Sequence, residues 1–153
     1  MADPPLIVER TDPLIVFQFG LEIDGVLDGY FAEVSGIGNY HEVVEKQLVN
    51  KQGHSFVMKA PGILKDDDIV LKRGITADMQ IWEWRAEAER GDLKSMRRNC
   101  SIVMFNRQFE EIARWDFVNA WPSKVSGPEP SSDGSEFGIE EVTLAHEGFM
   151  RVK

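Results

Sequence analysis

The pattern of apolar and polar positions along this chain alternates with a period of two more often than it turns with a period of 3.6. Phe17, Phe19, Leu21 and Ile23 alternate with Gln18, Gly20 and Glu22, which predicts a half-buried strand. Asp24-Gly25 and Asp28-Gly29 follow as turn signals, Tyr30 to Val34 resumes extended structure, and Ser35-Gly36-Ile37-Gly38 interrupts it. His41 to Leu48 and Ser55 to Lys59 read as two strands around the polar, glycine-containing Asn50 to His54. Together they predict a long hairpin over 41–59, ended by Pro61-Gly62. An isolated two-stranded ribbon is marginal in water, so this hairpin calls for another surface to support it.

Further along, Asp68 to Arg73 alternates as a strand that stops at Gly74. Ala77 to Arg90 has the one helical period, with Thr76 as a candidate N-cap, Asp78 near the positive N-terminal end and Gly91 as the C-terminal stop. Ser101 to Phe105 and Ile112 to Trp121 read as strands about a turn at Asn106 to Gln108. In the second, Trp115, Phe117 and Trp121 share one parity. Pro122 to Gly134 reads as a loop. Phe137 to Ala145 is the last clear strand, and Phe149 to Val152 a short apolar end. That makes about seven strands and one helix, with strands arriving as hairpins and not as strand–helix–strand units. The expected class is mainly β: an antiparallel β-sandwich or barrel with one flanking α-helix.

The first thirteen residues, Met1 to Pro13, hold three prolines and no period. They read as a flexible N-terminal arm, ordered by a partner. Residues 14–153 form a single domain, of a size that folds without metal or disulfide. The single cysteine, Cys100, rules out an internal disulfide. No apolar stretch approaches the ~20 residues of a membrane helix, so membrane insertion by the monomer is not expected. A formal net charge of −9 weighs against direct binding to phosphate backbones.

Candidate chemistry is sparse. His41, His54 and His146 show no metal spacing with one another or with Cys100. Asp66-Asp67-Asp68 lacks the alternating ligands of a calcium loop, and Glu140-Glu141 face opposite sides of a strand. Gly36-x-Gly38 is too short for a phosphate loop. Arg97 and Arg98 stand near Cys100, but no histidine in local sequence serves it as a base, so a passive thiol is expected. The aromatic stripe lacks the basic groove of a base-stacking platform. No catalytic, cofactor-binding or metal-binding residues are expected, and the chain reads as no enzyme. A monomeric β-barrel with a small-ligand pocket stays open at this point.

Several segments, in order, carry a resemblance. They are DIVLKRG at 68–74, IWEW at 81–84, RNCSIV at 98–103 and RWDFVNAWP at 114–122 with Ser123-Lys124. Gly127-Pro128, then Val142-Thr143-Leu144 and AHEG at 145–148, complete the set. From about Val16 to Val152 they resemble the tail-tube protein family of contractile-tailed phages and phage-like injection systems, which is related to the haemolysin-coregulated protein of type VI secretion. The resemblance implies a barrel with a flanking helix, assembled into hexameric rings that stack into a hollow tube. It implies that Gln47, Leu48, Val49, Asn50, Lys51, Gln52, Gly53, His54, Ser55 and Phe56 reach the next ring, and that the helix supports subunit contacts through Trp82, Trp84 and Arg85. Of the two tryptophans, at most one enters the core fully. Implied partners are further copies of the chain, contractile sheath subunits and baseplate or spike proteins, with effector cargo or phage DNA in the lumen; an acidic lumen that keeps such cargo from sticking is a separate expectation. Synthesis in the cytoplasm would precede assembly into a particle. The segment Val44 to Lys51 departs from the family's commoner aromatic-acidic step and glycine-rich tip. That leaves open a tube initiator or spike adaptor beside the main tube subunit.

Overall fold

The computed structural model describes residues 14–16, 18–128 and 138–153. The expected arm (1–13), Phe17, and the stretch 129–137 with the end of the expected loop lie outside the described residues. Strand β1 (Gln18–Ile23) turns at Asp24-Gly25 into β2 (Val26–Phe31), and β3 (Glu33–Ser35) follows at once. The hairpin strands are β4 (Asn39–Val49) and β5 (Ser55–Asp66), and β6 (Ile69–Gly74) comes next. Helices α1 (Gln80–Glu89) and α2 (Leu93–Met96) precede β7 (Arg98–Phe105), β8 (Glu111–Ser126), β9 (Ile139–Ala145) and β10 (Phe149–Arg151).

All strand pairs are antiparallel, in the order β2-β1-β7-β8-β9-β6-β3, with β10 added to β8. The two ends of that order are the same piece of chain. Only Ala32 separates β2 from β3, and its amide donates to the Lys72 carbonyl of β6 at 2.9 Å. The sheet therefore rolls into a barrel, which removes the edges an open sheet would expose. The expected class, mainly antiparallel β with a flanking helix, is the observed one.

The inward residues are those that period two places on one face: Leu21, Phe31, Ile69, Leu71, Ile102, Val142 and Leu144, all at most 1% exposed. Helix α1 closes one side by inserting Ile81 and Trp84. Each such side chain contributes about 1.5–3 kcal/mol by leaving water.

The short helix α2 and the strand β10 lie outside the expected set, and four other elements differ from expectation. Helix α1 starts at Gln80, not Ala77. Thr76 Oγ1 accepts from the Asp78 amide at 3.3 Å and Asp78 Oδ1 from the Gln80 amide at 3.0 Å; these local bonds compete with helix geometry and delay it. Its stop at Gly91 (φ +74°), whose amide donates to Ala88 O at 3.1 Å, is as expected. Next, β8 does not end at Trp121 but runs to Ser126, pairing first with β7 and then with β9. Its parity flips at Asn119 (φ +49°), beside a register shift against β7. Phe117 is buried as expected, but past the flip Ala120 and Pro122 point inward and Trp121 does not share their face. Pro122 survives in the strand because the register slips again between it and Lys124.

Asp28-Gly29 is not a turn but lies inside β2. Leu21 pairs with Gly29 and Glu22 with Leu27, so Asp28 is the extra residue of a bulge. Lastly, Pro61-Gly62 does not end the hairpin. The register between β4 and β5 shifts there, Pro61 stands opposite Val43, and the strand continues to Asp66. A Cβ on Gly62 would lie 2.7 Å from the Glu42 carbonyl oxygen, so the close crossing needs glycine.

Candidate assembly surface

Among the described residues the hairpin β4–β5 pairs only with itself. Its strands of 11 and 12 residues extend about 40 Å at ~3.4 Å per residue. Nearly every side chain on it is exposed. The tip is organised by one residue. Asn50 Oδ1 accepts from the Gln52 amide (3.0 Å) and the His54 amide (2.9 Å). The Asn50 amide donates to His54 O at 2.9 Å, and Gly53 takes φ +81°. This is an Asx-type closure, which fixes the register of both strands.

That register sorts the side chains onto two faces. Val44, Leu48, Phe56, Met58 and Ala60 share one face with Lys46, through the pairs Val44–Ala60, Lys46–Met58 and Leu48–Phe56. Glu45, Gln47, Val49, Ser55, Val57 and Lys59 share the other. There Lys59 Nζ meets Glu45 at 3.8 Å, and Lys65 pairs with Glu42 nearer the base. Such exposed pairs are worth about 0–1 kcal/mol. They cannot support the ribbon, and an apolar face with Phe56 46% and Val44 54% exposed is left without cover among the described residues. The structure brings residues 47–56 together at the free end of the hairpin; only Leu48 among them is half-buried.

The helix residues fare differently. Trp84 is the core tryptophan, 1% exposed. Its Nε1 donates to Met96 O at 2.7 Å, and the Arg98 guanidinium lies 5.3 Å from its ring. In the single chain it offers almost no surface to a neighbour. Trp82 is half-buried, with its ring against Gly127. Arg85 donates from Nη1 to Pro122 O at 3.1 Å and lies 3.9 Å from Glu89, so it fastens α1 to β8.

Other chemistry is structural in character. Burial pushes the Cys100 thiol up to about 12, with Asp24 adding to the shift and Arg98 opposing it. Its sulfur is held as a neutral thiol. His146 accepts from the Gly148 amide at Nδ1 (3.2 Å), so Nε2 carries the proton and donates to Asp67 O at 3.0 Å. Among the described residues no group of three His, Cys, Asp or Glu side chains could hold a metal ion, and no helix is long and apolar enough to cross a membrane. An open groove of about 760 Å³ runs past Cys100, Phe117, Phe149 and Met150. Of its two carboxylates, Asp24 and Asp116, the second is engaged by Ser101 Oγ (2.7 Å) and Arg114 Nε (3.2 Å).

Sequence reasoning missed one cluster. Arg73 and Glu140, cross-strand partners on β6 and β9, are 6% and 1% exposed and joined Nε to Oε2 at 2.8 Å. The guanidinium also lies 4.9 Å from the Phe31 ring. The only signal in the sequence was a charged residue at an inward parity on each strand.

With the geometry in view, the comparisons are specific. Residues 16–150 match the family described as T4-like virus tail tube protein gp19. The chain belongs to that tail tube family. A solved structure titled as the sheath-tube complex of an extracellular contractile injection system, PVC, in the extended state is similar. It has TM-score 0.74 at 20% identity, covering 91% of this chain and 90% of that one. The cap of the anti-feeding prophage, titled a tube terminating cap, gives 0.76 at 18% identity over 95% and 94% of the two chains. Hcp1 from Flavobacterium johnsoniae gives 0.56 at 13% identity over 89% and 95%. These likenesses concern the fold. The sequence matches no curated protein.

Proposed function

We propose that this tail tube family member is a structural subunit of the inner tube of a contractile injection system or phage tail. It assembles into hexameric rings, and the rings stack around a lumen. The observation that carries this reading is the β4–β5 hairpin. An otherwise closed barrel extends two long strands that nothing among the described residues covers, with an apolar face from Val44 to Ala60. A surface that apolar and that extended is stable when a second copy covers it. The task is mechanical: stack, stay stacked and leave the bore open. Sheath subunits outside and baseplate proteins at the end are the corresponding partners. Protein cargo or DNA would pass through the bore, and the particle would carry the subunit out of the cell that made it.

A second reading keeps the family and changes the copy number: an initiator, adaptor or terminating ring. It is favoured by the tip sequence Val44 to Lys51, and by a likeness to a tube terminating cap as high as that to the tube complex. Negative-stain electron microscopy of the purified chain over a range of concentrations separates the readings. Long tubes are expected for a main subunit, and single or paired rings for an adaptor. A chain that stays monomeric at the highest concentration, and also fails to join tubes when mixed with baseplate, would sink both and favour the small-ligand barrel.

A further inference from the structure

The seam where β2 and β3 meet β6 closes the barrel, and it holds a cluster of buried polar atoms that lack partners. Asp28 Oδ1 and Oδ2, Arg73 Nη2 and Glu140 Oε1 are all shielded from solvent without a hydrogen bond among the described residues. The arrangement is built into the backbone. The bulge in β2 adds Asp28 as an extra residue at the seam. The next residue is glycine, and a Cβ there would stand 2.5 Å from Arg73 Nη1, so Gly29 is what admits the guanidinium. Asp28 and Arg73 line one cavity of about 510 Å³.

The charge count of this cluster is odd. Arg73 is one cation, already bonded through Nε to Glu140. With Asp28 ionised, two carboxylates share it in a site shielded from water, and one carboxylate is left uncompensated. With Asp28 protonated, the cluster is neutral and gains a donor. Glu140 Oε1 is an acceptor without a partner, and the second Asp28 oxygen can accept from Arg73 Nη2. No direct bond joins these atoms among the described residues, and the cavity that Asp28 and Arg73 line has room for a water bridging those two.

We propose that Asp28 is the proton-binding group of a pH-sensitive clasp at the barrel seam, which holds β2 against β6 when protonated and loosens when ionised. The charged groups that act on it through space are Asp78 from the segment before α1, Arg73 from β6, Glu140 from β9 and Arg98 from β7. Burial is the main cause that raises the Asp28 carboxyl above its ordinary 3.8. Asp78 and Glu140 push the same way; Arg73 and Arg98 oppose. A raised value in the folded state means that the folded chain binds the proton more tightly. The stabilisation is full below 3.8 and is lost as pH rises through the raised value. This clasp is a property of the single barrel and is independent of ring formation.

The test is thermal unfolding of dilute, unassembled chain between pH 4 and pH 8, for wild type and Asp28→Asn. The difference between the two profiles isolates Asp28 from the other carboxylates. The amide keeps a neutral donor at every pH. Asp28→Asn is therefore expected to raise the midpoint by about 3 °C or more at pH 8, with the two proteins converging toward pH 4. Parallel profiles across the range would overturn the proposal. If Asp28→Asn does not fold, hydrogen exchange on the wild type decides. After correction for chemical exchange, protection at Gly29 to Phe31 is expected to fall about tenfold or more from pH 5 to pH 8, relative to β7. Equal protection at both pH values overturns the clasp. Either failure leaves the tube-subunit reading untouched, since neither readout requires a ring.

Discussion

Trp84 and Cys100 show how single residues in this chain are spent on the barrel and not on chemistry. Trp84 fills the space between α1 and the sheet, and its indole N–H satisfies the Met96 carbonyl. Trp84→Ala is expected to cost about 3–5 kcal/mol by the cavity it leaves. Trp84→Phe keeps most of the volume but orphans that carbonyl, at about 1–3 kcal/mol. Denaturant midpoints check both, and a Trp84→Ala variant as stable as wild type would contradict the burial. Cys100 makes a kinetic prediction. With the thiol pushed up to about 12, roughly one sulfur in ten thousand is ionised at pH 8, four units lower. Labelling by Ellman's reagent is expected to be at least about a thousandfold slower than in denatured chain, and to follow unfolding. Labelling at the free-thiol rate would show that the open groove gives reagents access to a reactive sulfur.

At the scale of elements, the hairpin lets the proposed assembly be tested apart from folding. Its apolar face makes no contribution to the barrel core, so Leu48→Asp with Phe56→Asp is expected to leave the unfolding midpoint of dilute chain within about 2 °C of wild type. On the proposed reading the same pair should abolish ring stacking, read by electron microscopy or sedimentation, because it places two carboxylates on the exposed apolar face. Tubes of normal length from this variant would remove the hairpin from the stacking surface. The period-two pattern made the strands legible, and so did the support-seeking character of the hairpin. It could not show where the pattern breaks. The bulge at Asp28, the parity flip at Asn119 and the crossing at Gly62 each depend on which strand lies alongside, and a partner's register leaves no mark in local sequence. The delayed start of α1 is different: Thr76 and Asp78 were both visible, and two competing local bonds from short polar side chains could have been read there.

For the whole molecule, charge is unevenly divided, and this bears on how copies meet. The hairpin Asn39–Asp66 carries four lysines and three carboxylates, so the rest of the chain holds net −10 of the formal −9. Toward the tip, between Val44 and Ala60, Lys46, Lys51 and Lys59 face a single carboxylate, Glu45. By net charge alone, two copies repel, and a basic tip is drawn toward the acidic remainder of another copy. Such a distribution favours contacts in which the hairpin of one copy meets the acidic body of the next, a heterologous contact that propagates and does not close on itself as a dimer would. Lys46→Glu with Lys51→Glu reverses the tip without touching the core. It is expected to leave stability within about 0.5 kcal/mol of wild type, and to raise the protein concentration needed for stacking several-fold at low salt. The gap should narrow as salt rises to about 0.5 M, where screening acts over only a few ångströms. Concentration-dependent light scattering of both proteins at two salt levels measures this. An unchanged threshold at low salt would mean that the tip meets the next copy through apolar contact alone, and that the acidic body serves only to keep barrels apart.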